Sequence, residues 1–363
     1  MDVRTLMRQA YLGDYQDTIP IGIYAKFLPR GTVERMSRTR GVGLIDFYPP
    51  VSLMSPPWLI SQGHVSEVKH CEFSIQYAWE SGTKLQERRF HTPVGDVSQI
   101  VKRDTSGIGS EHIVKHYITE KEDYKVVQYI VENTLFKSNS DDFESIEQNL
   151  GSDGVVLSRI DRSGYQKLLI ELVNPQRFFF DYYDYPELID ELIETIDAKG
   201  DEQLKLVLDQ GKDLIWQIDN ISADMTPPQV FEKYHLPLYA KRQKLIKKCT
   251  GGAYIIHTDG KTTSLSSLFN QIGQVVIESF SLPCIGGDME LEDVKLNMPA
   301  HKVFPNFPSN WTKLEREDLK NHCEDLHARL QTLEHPTMIE ISEDIPEYAY
   351  MEVLPILKDV FSY

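Results

Sequence analysis

The 363-residue sequence predicts an α/β fold, a (β/α)8 or TIM barrel, and two observations lead to this prediction. Short apolar runs of strand length alternate along the chain with amphipathic segments of helical period, as in parallel sheets whose strands are joined by helices. Eight such runs can be counted, the number this barrel requires. A doubly wound open sheet would show the same alternation and is the alternative fold.

The eight predicted strands share an apolar body bounded by glycine, proline or polar residues. In chain order they are Pro20–Phe27, Gly41–Asp46, Gly154–Ile160, Leu214–Asp219, the run Gly252–Gly260, Val275–Phe280, Lys302–Asn306 and Met338–Ser342. The segment Leu168–Val173 is also apolar, so we expect it to be part of the third strand region.

Three segments between these runs predict helices. Pro186–Ile196 has apolar residues near helical spacing and a proline at a plausible first position. Val230–Ile246 is followed by lysines, which the helix dipole favours at a C-terminal end. Glu315–Leu333 is the third predicted helix.

Residues 65–105 interrupt the alternation. Val68–Tyr77 and Lys84–His91 read as extended segments on either side of a turn at Glu80–Thr83, and Pro93–Val97 continues the pattern. We therefore expect antiparallel strands inserted into a loop between a barrel strand and its helix. In barrels such insertions lie over or beside the active-site face.

The composition excludes several classes of protein. Lys+Arg 38 against Asp+Glu 55 gives a net charge of 38 − 55 = −17, which disfavours nucleic acid and anionic membranes as partners. No apolar run reaches the roughly 18 residues of a membrane span, and the N-terminus has no secretion signal. The four cysteines are scattered without a Cys-x-x-Cys pair, so we expect no disulfide and a cytoplasmic location.

Candidate functional residues stand where the predicted strands end. His257 and Asp259 are spaced i, i+2, so on one strand they point to the same face. The other strand ends carry Asp46, Asp219 with Asn220, Glu278, Asn306, and Glu343 with Asp344. Such a rim can bind a divalent metal through nitrogen and oxygen or perform general acid–base catalysis. An acid after a strand can also simply cap the next helix, which applies to Asp46, Asp219 and Glu278.

The chain resembles the uroporphyrinogen decarboxylase superfamily, which includes corrinoid-dependent methyltransferases. The segments that carry the resemblance are Leu214–Asp219, Thr226–Tyr234, Ile255–Gly260, Pro283–Asp288, Pro305–Pro308 and Glu340–Pro346. The resemblance covers most of the chain and implies one (β/α)8 barrel domain over residues 1–363. The arginine-rich signature of the decarboxylases is missing from Ala25–Glu34, so the methyltransferase branch is favoured.

The resemblance also implies roles for individual residues. The branch that methylates coenzyme M holds zinc with His-x-Cys and a later Cys, and here the matching positions are His257, Asp259 and Glu343. Zinc is therefore the implied cofactor. Asp219, His257 and Glu278 are the implied catalytic set, and the substrate-binding set is Asp46, Asp288 and Asn306.

These expectations combine into one functional hypothesis: methyl transfer from a methylated, preferably methoxylated, small molecule to a corrinoid. A metal or a protonated acid would activate the leaving group. We expect the corrinoid on a separate partner protein, because the chain lacks the corrinoid-binding Asp-x-His-x-x-Gly motif. A homodimer is also expected to be possible. The alternatives are a cofactor-free decarboxylase-like lyase, another lyase or hydrolase of this fold, and a non-catalytic binding protein.

Overall fold

The computed structural model describes residues 1–48, 53–54, 65–80, 82–103, 111–137 and 140–361. Its strands are β1 Ile21–Tyr24, β2 Gly43–Tyr48, β3 Val65–Val68, β4 Glu72–Glu80, β5 Thr83–Thr92, β6 Gly95–Arg103, β7 Glu111–Lys115, β8 Thr134–Lys137, β9 Gly154–Ile160, β10 Leu214–Ile221, β11 Ala253–Thr258, β12 Val276–Phe280, β13 Lys302–Pro305 and β14 Ile339–Ile341. Its α-helices are α1 Val3–Leu12, α2 Thr32–Thr39, α3 Lys121–Glu132, α4 Ser140–Leu150, α5 Gly164–Lys167, α6 Pro175–Asp184, α7 Pro186–Asp209, α8 Pro228–Val230, α9 Leu236–Thr250, α10 Ser266–Phe269, α11 Leu291–Asn297, α12 Arg316–Leu330 and α13 Glu347–Val360.

The (β/α)8 barrel predicted from the alternating pattern is confirmed. Eight strands form one parallel sheet in the order β13-β12-β11-β10-β9-β2-β1-β14. A parallel bridge between Asn306 and Glu340 joins the two end strands, so the barrel is nearly closed. Each of the eight predicted apolar runs forms one of these strands.

Three predicted elements differ from the structure. Leu168–Leu172 is a π-helical turn rather than a strand. Its buried leucines explain the error, because a short apolar run has the same sequence signature in a buried strand and a buried helix. The helix that begins at Pro186 continues to Asp209, well past the predicted end at Ile196, and its buried face continues through Leu204 and Val207. The predicted helix over 230–246 begins with a π-helical turn, Phe231–His235, and continues as α9.

The chain divides into two compact units. The first comprises Met1–Tyr48, Asp141–Arg159 and Gly211–Tyr363 and contains nearly all of the barrel sheet. The second comprises Pro49–Ser140 and Ile160–Gln210.

In the first unit, α1 packs against the interior of the barrel. Met7, Ala10 and Tyr11 belong to the same buried cluster as the inward-facing residues of the strands. A Cβ at Gly43 would lie 2.2 Å from the Met7 sulfur, so a larger residue there would force the Met7 side chain to move away from β2. Lys302, at the start of β13, donates to the carbonyls of Tyr11 and Gly13 and so caps the C-terminal end of α1.

The second unit contains the antiparallel strands expected for residues 65–105. Strands β4, β5, β6 and β7 form one sheet in that order, and β3 pairs with β8 in a second sheet. The extended region therefore reaches residue 115, beyond the predicted limit.

All four cysteines are free thiols in the structure. In the part of the chain that the structure describes, no helix combines the length and apolarity that crossing a bilayer requires.

Two buried histidines should make the fold sensitive to acid. Burial lowers the pKa of His235 and of His301 to about 4, so both are neutral in the folded chain at neutral pH. Unfolding exposes each ring to water, where its pKa is about 6.5. Protons therefore bind the unfolded chain first, and stability present above pH about 6.5 is lost as the pH falls towards 4. We expect up to about 3 kcal/mol of loss per histidine in urea denaturation at pH 7 compared with pH 4.5.

The variant His301→Gln tests this origin, because it keeps a hydrogen-bonding side chain but does not titrate. Its stability should fall less between pH 7 and pH 4.5 than that of the parent chain. His322→Gln, at an exposed position, is the matched control and should keep the parent slope. Equal slopes in all three proteins would contradict the assignment.

Candidate functional site

The predicted pair of His257 and Asp259 is only half of the arrangement found. His257 lies near the end of β11, on the same face as the inward-pointing Ile255. Its Nδ1 lies 2.6 Å from a carboxylate oxygen of Glu278, on the neighbouring strand β12. The His257 side chain is 12% exposed and that of Glu278 is 0% exposed. The pair thus connects the buried interior of the barrel with solvent.

Glu278 is the most heavily hydrogen-bonded carboxylate in this interior. Trp216 donates its indole N–H at 2.9 Å, and the Tyr24 hydroxyl donates to the other carboxylate oxygen. The same Tyr24 hydroxyl lies 3.4 Å from Nδ1 of His257. The three partners come from β10, β1 and β11, so barrel closure itself assembles the site.

A second carboxylate, Glu340 on β14, lies beside the first. It shares a side-chain hydrogen bond with Glu278 and receives the backbone N–H of Ser279 at 3.2 Å. The Tyr11 hydroxyl of α1 donates to its other oxygen at 3.3 Å. Glu340 is 0% exposed, so both its removal from water and these contacts determine its ionisation.

The two carboxyls have opposite electrostatic environments. Burial raises the pKa of Glu340 well above its usual range, and the negative charge of Glu278 adds to this. Burial would also raise the pKa of Glu278, but the charge and hydrogen bond of His257, with the donors Tyr24 and Trp216, outweigh it and hold this pKa below its usual value. Burial and the same carboxylates raise the pKa of Tyr24, which therefore stays protonated and donates. The two pKa shifts have opposite directions, so Glu340 binds a proton more readily than Glu278 does.

A distorted strand end aligns these groups. Ser279 has φ +56°, in the left-handed region that non-glycine residues rarely adopt, and the pairing of β12 with β13 changes register between Ile277 and Phe280. The bulge directs the N–H of Ser279 towards Glu340, and the Ser279 hydroxyl lies 2.7 Å from that of Ser342. Strained backbone of this kind is often found at functional sites.

Aromatic rings enclose the site. The ring centroid of Trp216 lies 4.3 Å from that of Phe47 and 5.5 Å from that of His257. Tyr24 packs edge-on against Phe47 at 4.8 Å. These rings exclude water and strengthen the electrostatic interaction between His257 and Glu278.

Two other predicted residues point away from this interior. Asp219 lies on the outer face of β10, where Gln217 donates to it at 3.0 Å and the Tyr239 hydroxyl of α9 also donates. Asp46 lies between Ile45 and Phe47, which join the interior cluster, so its side chain faces the other side of β2. Burial raises the pKa of Asp46 although its carboxylate accepts the N–H of Phe47. Neither residue is placed with His257 and Glu278.

The remaining predicted substrate-binding residues make backbone contacts. The side-chain amide oxygen of Asn306 accepts the backbone N–H of Ser342 at 3.2 Å beside the bridge that closes the barrel. Asp288 accepts the N–H groups of Thr262 and Thr263 at 2.8 and 3.0 Å, as an N-cap does. Both contacts are structural, and a substrate role for either residue stays a prediction.

The residues implied as zinc ligands do not fit a zinc site. In the described ranges, no three His, Cys, Asp or Glu side chains are arranged to hold a metal ion. The cause is local, because His257 points inward to Glu278 while exposed Asp259 accepts the Asn220 amide N–H at 3.2 Å. Glu343 is half-buried beyond the end of β14. The i, i+2 spacing failed as a guide because β11 ends at Thr258, before Asp259.

Sequence reasoning missed Tyr11, Tyr24, Trp216 and Glu340 as members of the site. The usable signal was an acid or a large polar ring inside an apolar strand rather than after it. Glu340 follows the inward-facing Met338 at i+2, and Trp216 lies between the inward-facing Leu214 and Ile218. No pattern in the sequence linked Tyr11, which precedes the barrel, to the last strand.

One solved structure similar in fold is a methyltransferase from Methanosarcina mazei. It has a TM-score of 0.57 and 11% sequence identity, and the match covers 100% of each chain. At this identity the similarity shows a shared (β/α)8 fold and no more. No protein-family model matches the chain, and no curated protein matches it significantly in sequence.

The position of Asp219 predicts a structural effect from its removal. Asp219→Ala leaves the Tyr239 hydroxyl and the Gln217 amide without a shared acceptor in a buried space, which should lower the free energy of unfolding by about 1 to 3 kcal/mol. Urea denaturation at pH 7 measures this. Asp259→Ala, at an exposed position, should change stability by less than about 0.5 kcal/mol. A stable Asp219→Ala protein would contradict the structural role.

Proposed function

We propose that the chain is a methyltransferase that moves a methyl group from a methoxylated small molecule to a corrinoid on a partner protein. In this proposal, His257 is the general acid for the oxygen leaving group. The observation that carries the proposal is the His257–Glu278 pair at the solvent-facing end of an otherwise buried hydrogen-bond network. The fold similarity to a methyltransferase is consistent with it.

The two ring nitrogens of His257 have different surroundings. Nδ1 hydrogen-bonds to the Glu278 carboxylate and lies near the Tyr24 hydroxyl. No residue in the described part of the chain hydrogen-bonds to Nε2. The buried carboxylate stabilises the positive imidazolium and fixes the ring orientation. Nε2 is therefore the atom available to hold a proton for a substrate.

An ether oxygen is a poor leaving group at neutral pH, so the reaction needs a proton at that oxygen. The C–O bond breaks, its electron pair stays on the oxygen, and the Nε2 proton of His257 moves to that oxygen. The reduced corrinoid, which is the methyl acceptor, supplies the electron pair of the new bond to the methyl carbon. Atoms and charge balance, because the demethylated product leaves as a neutral hydroxyl compound and a solvent proton restores His257.

The remaining residues of the site keep His257 oriented and protonated. Tyr24 and Trp216 hold Glu278 in place, and the Glu278 carboxylate holds the imidazolium without taking its proton. The Phe47 and Trp216 rings limit water around the pair. No step uses a metal, since His257, Asp259 and Glu343 do not form a ligand set, and Asp219 is not used because it faces α9.

Replacing His257 tests the proposal. His257→Gln keeps a polar side chain of similar reach but cannot deliver a proton as an acid, so methyl transfer should fall by about 10²- to 10⁴-fold. The assay follows methylation of free cob(I)alamin spectroscopically with a panel of methoxylated donors. Asp259→Asn is the matched control and should stay within about threefold. Full activity in His257→Gln would overturn the assignment.

A second test asks whether His257 acts as an acid rather than as a binding residue. Donors whose hydroxyl product is more acidic need less protonation of the leaving oxygen. The activity ratio of the parent to His257→Gln should therefore shrink steadily from alkyl methyl ethers to nitro-substituted phenyl methyl ethers. An equal ratio for all donors would indicate a positioning role instead.

A further inference from the structure

Two carboxyl groups are buried together in the barrel interior. Glu278 and Glu340 are each 0% exposed and hydrogen-bonded to one another. Two adjacent buried carboxylates cannot both keep a negative charge without a compensating cation. His257 is the one basic side chain in contact with the pair, and no Lys or Arg in the described part of the chain donates a hydrogen bond to either carboxyl. One of the two must therefore be neutral.

The hydrogen-bond partners decide which one is neutral. Glu278 accepts from the Trp216 indole and the Tyr24 hydroxyl, and its carboxylate lies 2.6 Å from Nδ1 of His257. Glu340 receives the Ser279 N–H and a long contact from the Tyr11 hydroxyl. The charged form is thus better stabilised at Glu278, and Glu340 is left to supply a hydrogen to it.

We propose that Glu340 is a positioning residue that carries a proton at neutral pH and donates it to Glu278. This keeps the Glu278 carboxylate charged and aimed at His257. The role as a positioning residue rests on the proposed methyl transfer, whereas the location of the proton does not. The groups that face Glu340 are Tyr11 from α1, Glu278 and Ser279 from β12, and, beyond Glu278, His257 from β11.

Infrared spectroscopy in deuterated buffer detects this proton without any substrate. The parent chain should show the carbonyl band of one buried protonated carboxyl at neutral pH, resolved from the carboxylate bands. Glu340→Gln should remove it, and Glu343→Gln, at a nearby half-buried position, should retain it. Absence of the band from the parent chain, or its persistence in Glu340→Gln, would overturn the proposal.

A second variant covers the possibility that Glu340→Gln does not fold, as judged by circular dichroism. Tyr11→Phe removes one hydroxyl partner of Glu340 and leaves both carboxyls. The band should persist and shift, because the carbonyl loses a hydrogen bond. An unshifted band in a folded Tyr11→Phe protein would show that the protonated group lies elsewhere.

The positioning role is tested in the methyl-transfer assay. Glu340→Gln presents an amide N–H to Glu278 and should stay within about threefold of the parent, whereas Glu340→Leu should lose about 10- to 100-fold, as expected from removing a hydrogen bond to a charged group. Equal losses in both variants would mean that Glu340 only fills space. If no donor is demethylated by the parent, the proposed function fails, and the infrared result still decides where the proton is.

Discussion

The site depends on one constraint, the burial of a negative charge at Glu278 inside the barrel. A lone carboxylate in such a place would cost several kcal/mol, so it is retained only with partners. Those partners come from separate strands, with Tyr24 on β1, Trp216 on β10 and His257 on β11. The barrel must close in register for all of them to reach one side chain, which couples the fold to the site.

The same constraint explains features outside the immediate contacts. Helix α1 lies against the barrel interior and places the Tyr11 hydroxyl on Glu340, and the glycine at position 43 permits that approach. The left-handed backbone at Ser279 gives Glu340 its N–H partner. The left-handed backbone of Ser279 and the position of α1 each provide one hydrogen-bond donor, the Ser279 N–H and the Tyr11 hydroxyl, to the second carboxyl, Glu340.

The fold could be predicted from the sequence because strand length and alternation are local properties. The eight apolar runs followed from this pattern, and so did the positions of His257 and Glu278 near the ends of two strands, but not the contact between them. The network around Glu340 could not be predicted, because it joins residues 11, 24, 278 and 340 through barrel closure and a bulge. Asp219 and Asp46 show the opposite failure, since an acid near a strand end can face either side of the sheet. The side chain of Asp259 does not share a face with that of His257, because β11 ends at Thr258, one residue before Asp259.

Fold similarity and site chemistry carry different weight here. A methyltransferase has a similar barrel. Barrels of this kind catalyse many different reactions, so the side chains of the site, and not the fold, determine which reaction occurs. An imidazole with one nitrogen held by a buried carboxylate is a proton donor, and a proton is what an oxygen leaving group requires. In the proposed reaction this proton comes from His257, whose ring orientation is fixed by Glu278, 2.6 Å from Nδ1.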